Sequence, residues 1–159
     1  MPPITVVIAS HERASRAACL GHLQSEKGIR VVAEARSGLE ALAVVRLKPH
    51  ILVLDLSLFR GNGLLLLPVL RQRSPRTKVI LLVGRVSEAR ILEALSQGAL
   101  GYLGKEVLRA FLAKAIRAVE AGQAWVPRKM VGKITDRLLV SPFGKGENKS
   151  KPSSSLKRD

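Results

Sequence analysis

The sequence predicts an α/β fold: a doubly wound, five-stranded parallel sheet in the order 2-1-3-4-5, with helices on both faces. Three observations point to it. Short aliphatic runs recur, each bounded by turn residues, as in strands buried on both faces. Stretches with helical spacing of apolar residues lie between them, so strand and helix alternate five times, which implies right-handed crossovers. Finally, the run Ile51-Leu52-Val53-Leu54 delivers a single carboxylate, Asp55, at its end. In such sheets the ligand crevice lies at the carboxyl ends of the strands.

The elements follow in order. Ile4 to Ala9 is the first strand, and Ser10 caps a helix to about Ser25. Gly28 breaks the chain before strand two, Ile29 to Ala35. Ser37-Gly38-Leu39-Glu40 has the Ser-x-x-Glu form of a capping box. It opens a helix with Leu39, Leu42, Val45 and Leu47 on its apolar face, ending before Pro49. Ile51 to Asp55 is strand three. Gly63 starts a leucine-rich helix to about Gln72, with Pro68 removing one donor inside it. Lys78 to Gly84 is strand four. Ser87 caps the next helix, which carries Ile91, Leu92 and Leu95 and closes at Gly98. Leu100 to Leu103 is a short fifth strand. Glu106 to Ala121 is the clearest helix, with Val107, Leu108, Phe111, Leu112, Ala115, Ile116 and Val119 on one face. The whole is a flavodoxin-like arrangement.

Three segments result. Residues 1–122 form the α/β domain. Residues 123–140 hold a short extended piece around Trp125 and an amphipathic helix with Met130, Val131, Ile134 and Leu138. Residues 141–159 are rich in Pro, Gly, Ser and Lys and predict a disordered basic linker or tail. The apolar fraction of 47% supports a sizeable core, made of aliphatic residues because aromatics are only 3%. The lone Cys19 excludes an internal disulfide and fits a reducing compartment. The first apolar stretch is too short for a signal or a membrane span, so a cytoplasmic protein without membrane contact is expected.

The net charge is +15. Residues 1–127 carry 18 Lys/Arg against 9 Asp/Glu, and residues 128–159 carry 9 against 3, so the charge is spread along the chain. Such a balance suits nucleic acid or another polyanion, and equally a solvated basic surface. A dinucleotide site is disfavoured, because Ala9-Ser10-His11-Glu12-Arg13 has no glycine-rich turn. There is no Ser-His-Asp arrangement or metal-ligating cluster, so enzyme activity is not expected.

In this topology strands one, three, four and five end at one edge of the sheet. They bring together Ser10 and His11, Asp55, Val83 and Gly84, and Lys105. A carboxylate beside an ammonium in a partly dry cleft can be a nucleophile with a phosphate-steadying partner, or a plain ion pair.

Residues 3–127 resemble the receiver domain of two-component response regulators, most of all the NarL/LuxR-type subgroup. The matching segments are Leu54-Asp55-Leu56 before Gly61-Asn62-Gly63, then Gly98-Ala99-Leu100-Gly101-Tyr102-Leu103-Gly104-Lys105, and Ala115 to Gly122 before Trp125. The resemblance implies that Asp55 is the phosphoacceptor position, Lys105 the phosphate-pairing lysine and Tyr102 the aromatic switch. The chain departs from the family at three points. Two acidic residues that hold Mg²⁺ after strand one are Ser10 and His11 here. The Thr or Ser that bonds the phosphoryl group at the end of strand four is Val83. Mg²⁺ demands oxygen ligands in near-octahedral geometry, and imidazole suits other metals. Asp55 and Lys105 sum to about zero, and Glu12 stands one residue out of register. The expectation is a degenerate, pseudo-receiver site with weak or absent Mg²⁺ binding and no cofactor.

The expected partners follow from the same resemblance: a histidine kinase or an acidic protein surface, with DNA reached through a helix-turn-helix domain beyond this chain. The face of helix four, strand five and helix five commonly docks partners in the family. Here it carries Arg90, Arg109, Lys114 and Arg117, whose repulsion allows at most a weak homodimer. The alternatives are a working phosphoreceiver on Asp55 and a stand-alone nucleic-acid-binding protein using its basic surface and tail.

Overall fold

The computed structural model describes residues 2–58, 66–85, 87–127, 130–133 and 136. The five aliphatic runs become β1 (Ile4–Ala9), β2 (Ile29–Ala35), β3 (Ile51–Asp55), β4 (Lys78–Val83) and β5 (Gly101–Gly104). They form one parallel sheet in the order β2-β1-β3-β4-β5. The helices between and after them are α1 (Arg13–Leu23), α2 (Gly38–Val44), α3 (Leu66–Arg73), α4 (Glu88–Ser96) and α5 (Leu108–Glu120).

The sheet is covered on both faces. Val6, Ile8, Ile51, Val53, Ile80 and Leu82 join one cluster with Cys19 and Leu23 of α1 and Leu112, Ile116 and Val119 of α5. Their strand neighbours Val7, Leu52, Leu54 and Leu81 point the other way, since successive side chains alternate, and are equally closed to solvent. Cys19 is a core residue, and burial pushes its thiol pKa up to about 12, leaving it protonated and inert.

Several local expectations need correction. Ser10 does not cap α1. The N-cap is Glu12, without a side-chain cap bond, and the Ser10 hydroxyl is committed elsewhere. Leu39 and Leu47 were expected on the buried face of α2 but are 80% and 59% exposed. Val45 faces the core as expected, together with Ala41; Leu39 lies about 200° around the helix from Ala41, and Leu47 follows the point where the α-helix ends at Val44 and tightens into a 3₁₀ turn over Val45–Leu47. The Ser37 hydroxyl accepts from the Glu40 N–H as a capping box requires, but Glu40 reaches back to the Arg36 N–H, one residue earlier than the standard partner. Arg117 does not point to an open docking face: its guanidinium donates to the Glu26 carboxylate and the Lys27 carbonyl. Residues 61–65, where the third helix was expected to begin, lie outside the described residues, as do 137–159 with the expected tail.

The first compact unit runs to Val126. Its last residues pair in parallel alongside β5 at Gly101: the Trp125 N–H donates to the Leu100 carbonyl, and the Tyr102 N–H donates to the Trp125 carbonyl. This approach needs glycine at 101, where a Cβ would lie 2.8 Å from the Trp125 oxygen. The second unit begins at Pro127. Within it, residues 130–133 and 136 are helical, in the region expected to form a helix.

Candidate functional site

Strand register builds the site. Ala9 pairs with Leu54, so Ser10 emerges beside Asp55. Val83 pairs with Gly104, so Lys105 emerges beside the end of β4. Asp55 is the last residue of β3, and its side chain is closed to solvent.

Each carboxylate oxygen of Asp55 receives two donors. Oδ1 accepts from the Ser57 N–H at 2.9 Å and the Ser57 hydroxyl at 2.7 Å. Oδ2 accepts from the Ser10 hydroxyl at 2.6 Å and lies 2.8 Å from Lys105 Nζ. An ionised carboxylate offers about four lone-pair sites, so these donors saturate it. Ser57 uses its proton on Asp55, so at its 3.2 Å contact with His11 Nδ1 it must accept, which places a proton on that ring nitrogen. Ser10 likewise donates to Asp55 while accepting from the Glu12 N–H.

Lys105 is shared. Its ammonium also meets Glu12 Oε1 at 2.8 Å, and its stem runs across Gly84, with Cδ 3.6 Å from where a Cβ would sit. Glu12 is further held by the Ser15 hydroxyl. The site charge is therefore not zero: Asp55, Glu12 and Lys105 sum to −1. This corrects the expectation built on Asp55 and Lys105 alone.

The titration behaviour follows from these contacts. Burial opposes ionisation of Asp55, but the bonds from Lys105, Ser10 and Ser57 outweigh it and hold the carboxyl below its usual range. The Lys105 ammonium and the Ser15 hydroxyl lower Glu12. Burial works against the Lys105 charge, yet its bonds to Asp55 and Glu12 prevail and raise its pKa. A lowered carboxylate contributes stability that is present above its unfolded pKa, about 3.9 for Asp, and lost as pH falls through the folded value. A raised lysine contributes stability present below its unfolded pKa, about 10.4, and lost as pH rises through the folded value. Stability is therefore expected to decline below about pH 4 and above about pH 10. Thermal melts of Asp55→Asn across that range are expected to show a weakened acid limb; an unchanged limb would place the acid sensitivity elsewhere.

The structure thus brings Ser10, Asp55 and Lys105 into direct contact, with His11 one bond further out through Ser57. Val83 ends β4, almost fully buried, and contributes only a hydrocarbon surface. Tyr102 pairs with Leu81, back along β5 from the Lys105 end. Ser57 was missed in the sequence, although an Asp-x-Ser spacing after a strand is a local turn signal. Glu12 was treated as out of register, and its backbone is, but its longer side chain spans the gap.

The donor set does not fit Mg²⁺. Two of the positions that would supply carboxylates offer a hydroxyl and an imidazole. The Asp55 oxygens are occupied, and Glu12 is bound to an ammonium. Among the described residues no group of three or more His, Cys, Asp or Glu is placed to hold a metal.

A five-stranded parallel sheet with a buried carboxylate at the end of β3 and a lysine after β5 defines the class. Residues 6–117 match the response regulator receiver domain family, and the chain belongs to that family. It is a receiver domain of the NarL/LuxR type. It is 28% identical over 157 residues to the transcriptional regulatory protein LiaR of Bacillus subtilis, covering 98% of this chain and 72% of the relative. It is 30% identical over 149 residues to the oxygen regulatory protein NreC of Staphylococcus aureus, covering 92% and 69%. The solved signal receiver domain of the response regulator NarL from Mycobacterium tuberculosis superposes with a TM-score of 0.69 at 26% identity, over 77% of this chain and all of that one. The chain thus spans about two thirds of the length of these curated relatives. Among the described residues no helix is long and apolar enough to cross a membrane.

Proposed function

We propose that this chain is an atypical receiver in which the scaffold is retained and the phospho-switch is largely disabled. It signals through protein contact, with weak or no Mg²⁺-dependent phosphorylation of Asp55. The observation that carries this reading is the saturated Asp55 carboxylate. A phosphoacceptor needs a free oxygen lone pair for attack and a cation for the developing charge. Here Ser10, in a position where the family has a carboxylate, instead donates a hydrogen bond to Asp55.

LiaR is a transcriptional regulatory protein by name, and both it and NreC extend beyond the matched length. On that basis the receiver would serve a regulator whose DNA contacts are made by a helix-turn-helix domain outside residues 1–159. Its direct partner is a protein, either a histidine kinase or an acidic surface. The basic residues Arg90, Arg109 and Lys114 on α4 and α5 favour an acidic partner over a strong homodimer.

One observation favours a second reading, a working phosphoreceiver. Glu12 brings another carboxylate to Lys105, so the site is more anionic than sequence alone suggested. Metal titration separates the two. With Mg²⁺ added to the full chain, the amide resonances of Ser10, Asp55 and Ser57 are expected not to saturate at low millimolar concentration. Saturation there would establish a functional metal site and favour the working receiver.

A further inference from the structure

The opposite end of the sheet carries a second concentration of charge. There the segments entering β3, β4 and β5 meet, and two adjoining cavities of about 470 and 500 Å³ share His50, Pro75, Arg76 and Thr77. Arg71 and Lys78 line the first cavity together with Glu120, and Lys48 lines the second. Four fixed cations thus face one carboxylate. Lys78 is held by Glu120, 3.9 Å from its carboxylate. Among the described residues, Lys48, Arg71 and Arg76 form no ion pair.

The recess is built, not merely charged. The Thr77 hydroxyl donates to the Pro49 carbonyl at 2.6 Å, tying the entry of β4 to that of β3. The Thr5 N–H donates to His50 Nδ1 at 2.9 Å, so the neutral ring carries its proton on Nε2, as a donor. Arg71 lies against Gly98 and donates to the Gln97 carbonyl at 3.2 Å. A Cβ at Gly98 would collide with the Arg71 guanidinium, and Gly98 has φ +112, so both the space and the backbone require glycine. Lys48 adopts a left-handed φ of 54, uncommon for a residue with a side chain.

We infer that this cleft is a binding site for a small anion with two adjacent phosphate groups, either inorganic pyrophosphate or the diphosphate of a nucleotide. Guanidinium forks match phosphate oxygens bidentately, and Arg71 is pre-positioned to do so. The net lining charge of +3, left after Glu120 offsets one of the four cations, suits a diphosphate. The cavity sizes fall within the range of small-molecule sites, about 300–1,000 Å³. The cleft is separate from Asp55: the five residues of β3, at about 3.3 Å each, put the two ends roughly 15 Å apart.

The test is calorimetry and amide-shift mapping on the full chain at physiological salt, first with pyrophosphate and then with ADP. Saturable pyrophosphate binding is expected, with shifts centred on Thr77, Lys78 and Gly98. Arg76→Glu, at an exposed side chain, is expected to weaken it by about tenfold or more, since it turns an attraction into a repulsion. Arg13→Glu, exposed at the start of α1 beyond the opposite end of β1, keeps the same net charge change away from the cleft and is expected to leave affinity nearly unchanged. Gly98→Ala, which displaces Arg71, is expected to weaken binding as well. ADP binding equal to pyrophosphate assigns recognition to the diphosphate alone; tighter ADP binding assigns a nucleotide as the ligand. Absence of saturation, equal losses in Arg76→Glu and Arg13→Glu, or a DNA duplex that occupies the cleft and resists pyrophosphate would each overturn the inference.

Discussion

Ser10→Asp combined with His11→Asp is expected to convert Asp55 from a nearly inert residue into one readily labelled by a small-molecule phosphodonor in Mg²⁺. The double substitution removes the hydroxyl that donates to Asp55 Oδ2 at 2.6 Å and returns two carboxylates to the end of β1. The metal gains oxygen ligands, and Asp55 gains a free lone pair. Labelling alone is not expected to produce switching. Val83 still ends β4 as a hydrocarbon, so the phosphoryl group finds no hydroxyl to draw the following loop inward, and amide shifts around Tyr102 are expected to stay as they were. Adding Val83→Thr supplies a charge-assisted bond of roughly 1.5–3 kcal/mol. Since about 1.4 kcal/mol is tenfold, that shifts a two-state loop by about tenfold or more. Mass spectrometry scores labelling and amide shifts score switching. A double mutant that both labels and switches would show that Val83 is no barrier.

Lys105→Met is expected to destabilise the fold by about 3 kcal/mol near neutral pH, because it strands a buried carboxylate without its cation. The lower end of the usual range applies, as Lys105 is 21% exposed and water can partly replace it. For a domain of this size the melting temperature then falls by on the order of 10 °C. The pH dependence separates this cause from lost packing. In the unmodified chain Asp55 titrates below its usual range, so its stabilisation disappears as pH falls. In the variant, burial without Lys105 raises the Asp55 pKa, so protonation relieves the strain. The gap between the two melting temperatures is therefore expected to narrow from pH 7 towards pH 4. A gap constant across that interval would assign the loss to the missing side-chain stem.

What the sequence disclosed and what it hid have physical reasons. β1, β2 and β3 were legible to the residue, because an aliphatic run between turn residues has no other use in a chain this short. The end-of-strand position of Asp55 and its meeting with Lys105 followed from topology alone. Leu47 misled, because helical spacing names the residues on a face only while the helix keeps its pitch, and the 3₁₀ turn after Val44 does not; Leu39 misled because the buried side of α2 is the one carrying Ala41, about 200° around the helix from it. Ser10 could serve equally as a cap or as a donor to Asp55; only the pairing of Ala9 with Leu54 decides. Glu12 was hidden for another reason. Register describes backbones, and its reach to Lys105, 93 residues away in sequence, depends on side-chain length and on the Ser15 hydroxyl that steadies it.

The most direct test of the proposed loss of the phospho-switch uses the unmodified chain. It is incubated with a small-molecule phosphodonor and Mg²⁺, and Asp55 is followed by intact-mass and peptide mass spectrometry beside a receiver that has the full acidic set. The saturated carboxylate predicts little or no added phosphoryl mass over the time in which the comparison protein labels fully. Rapid, Mg²⁺-dependent labelling at Asp55 would contradict it and establish a working phosphoreceiver.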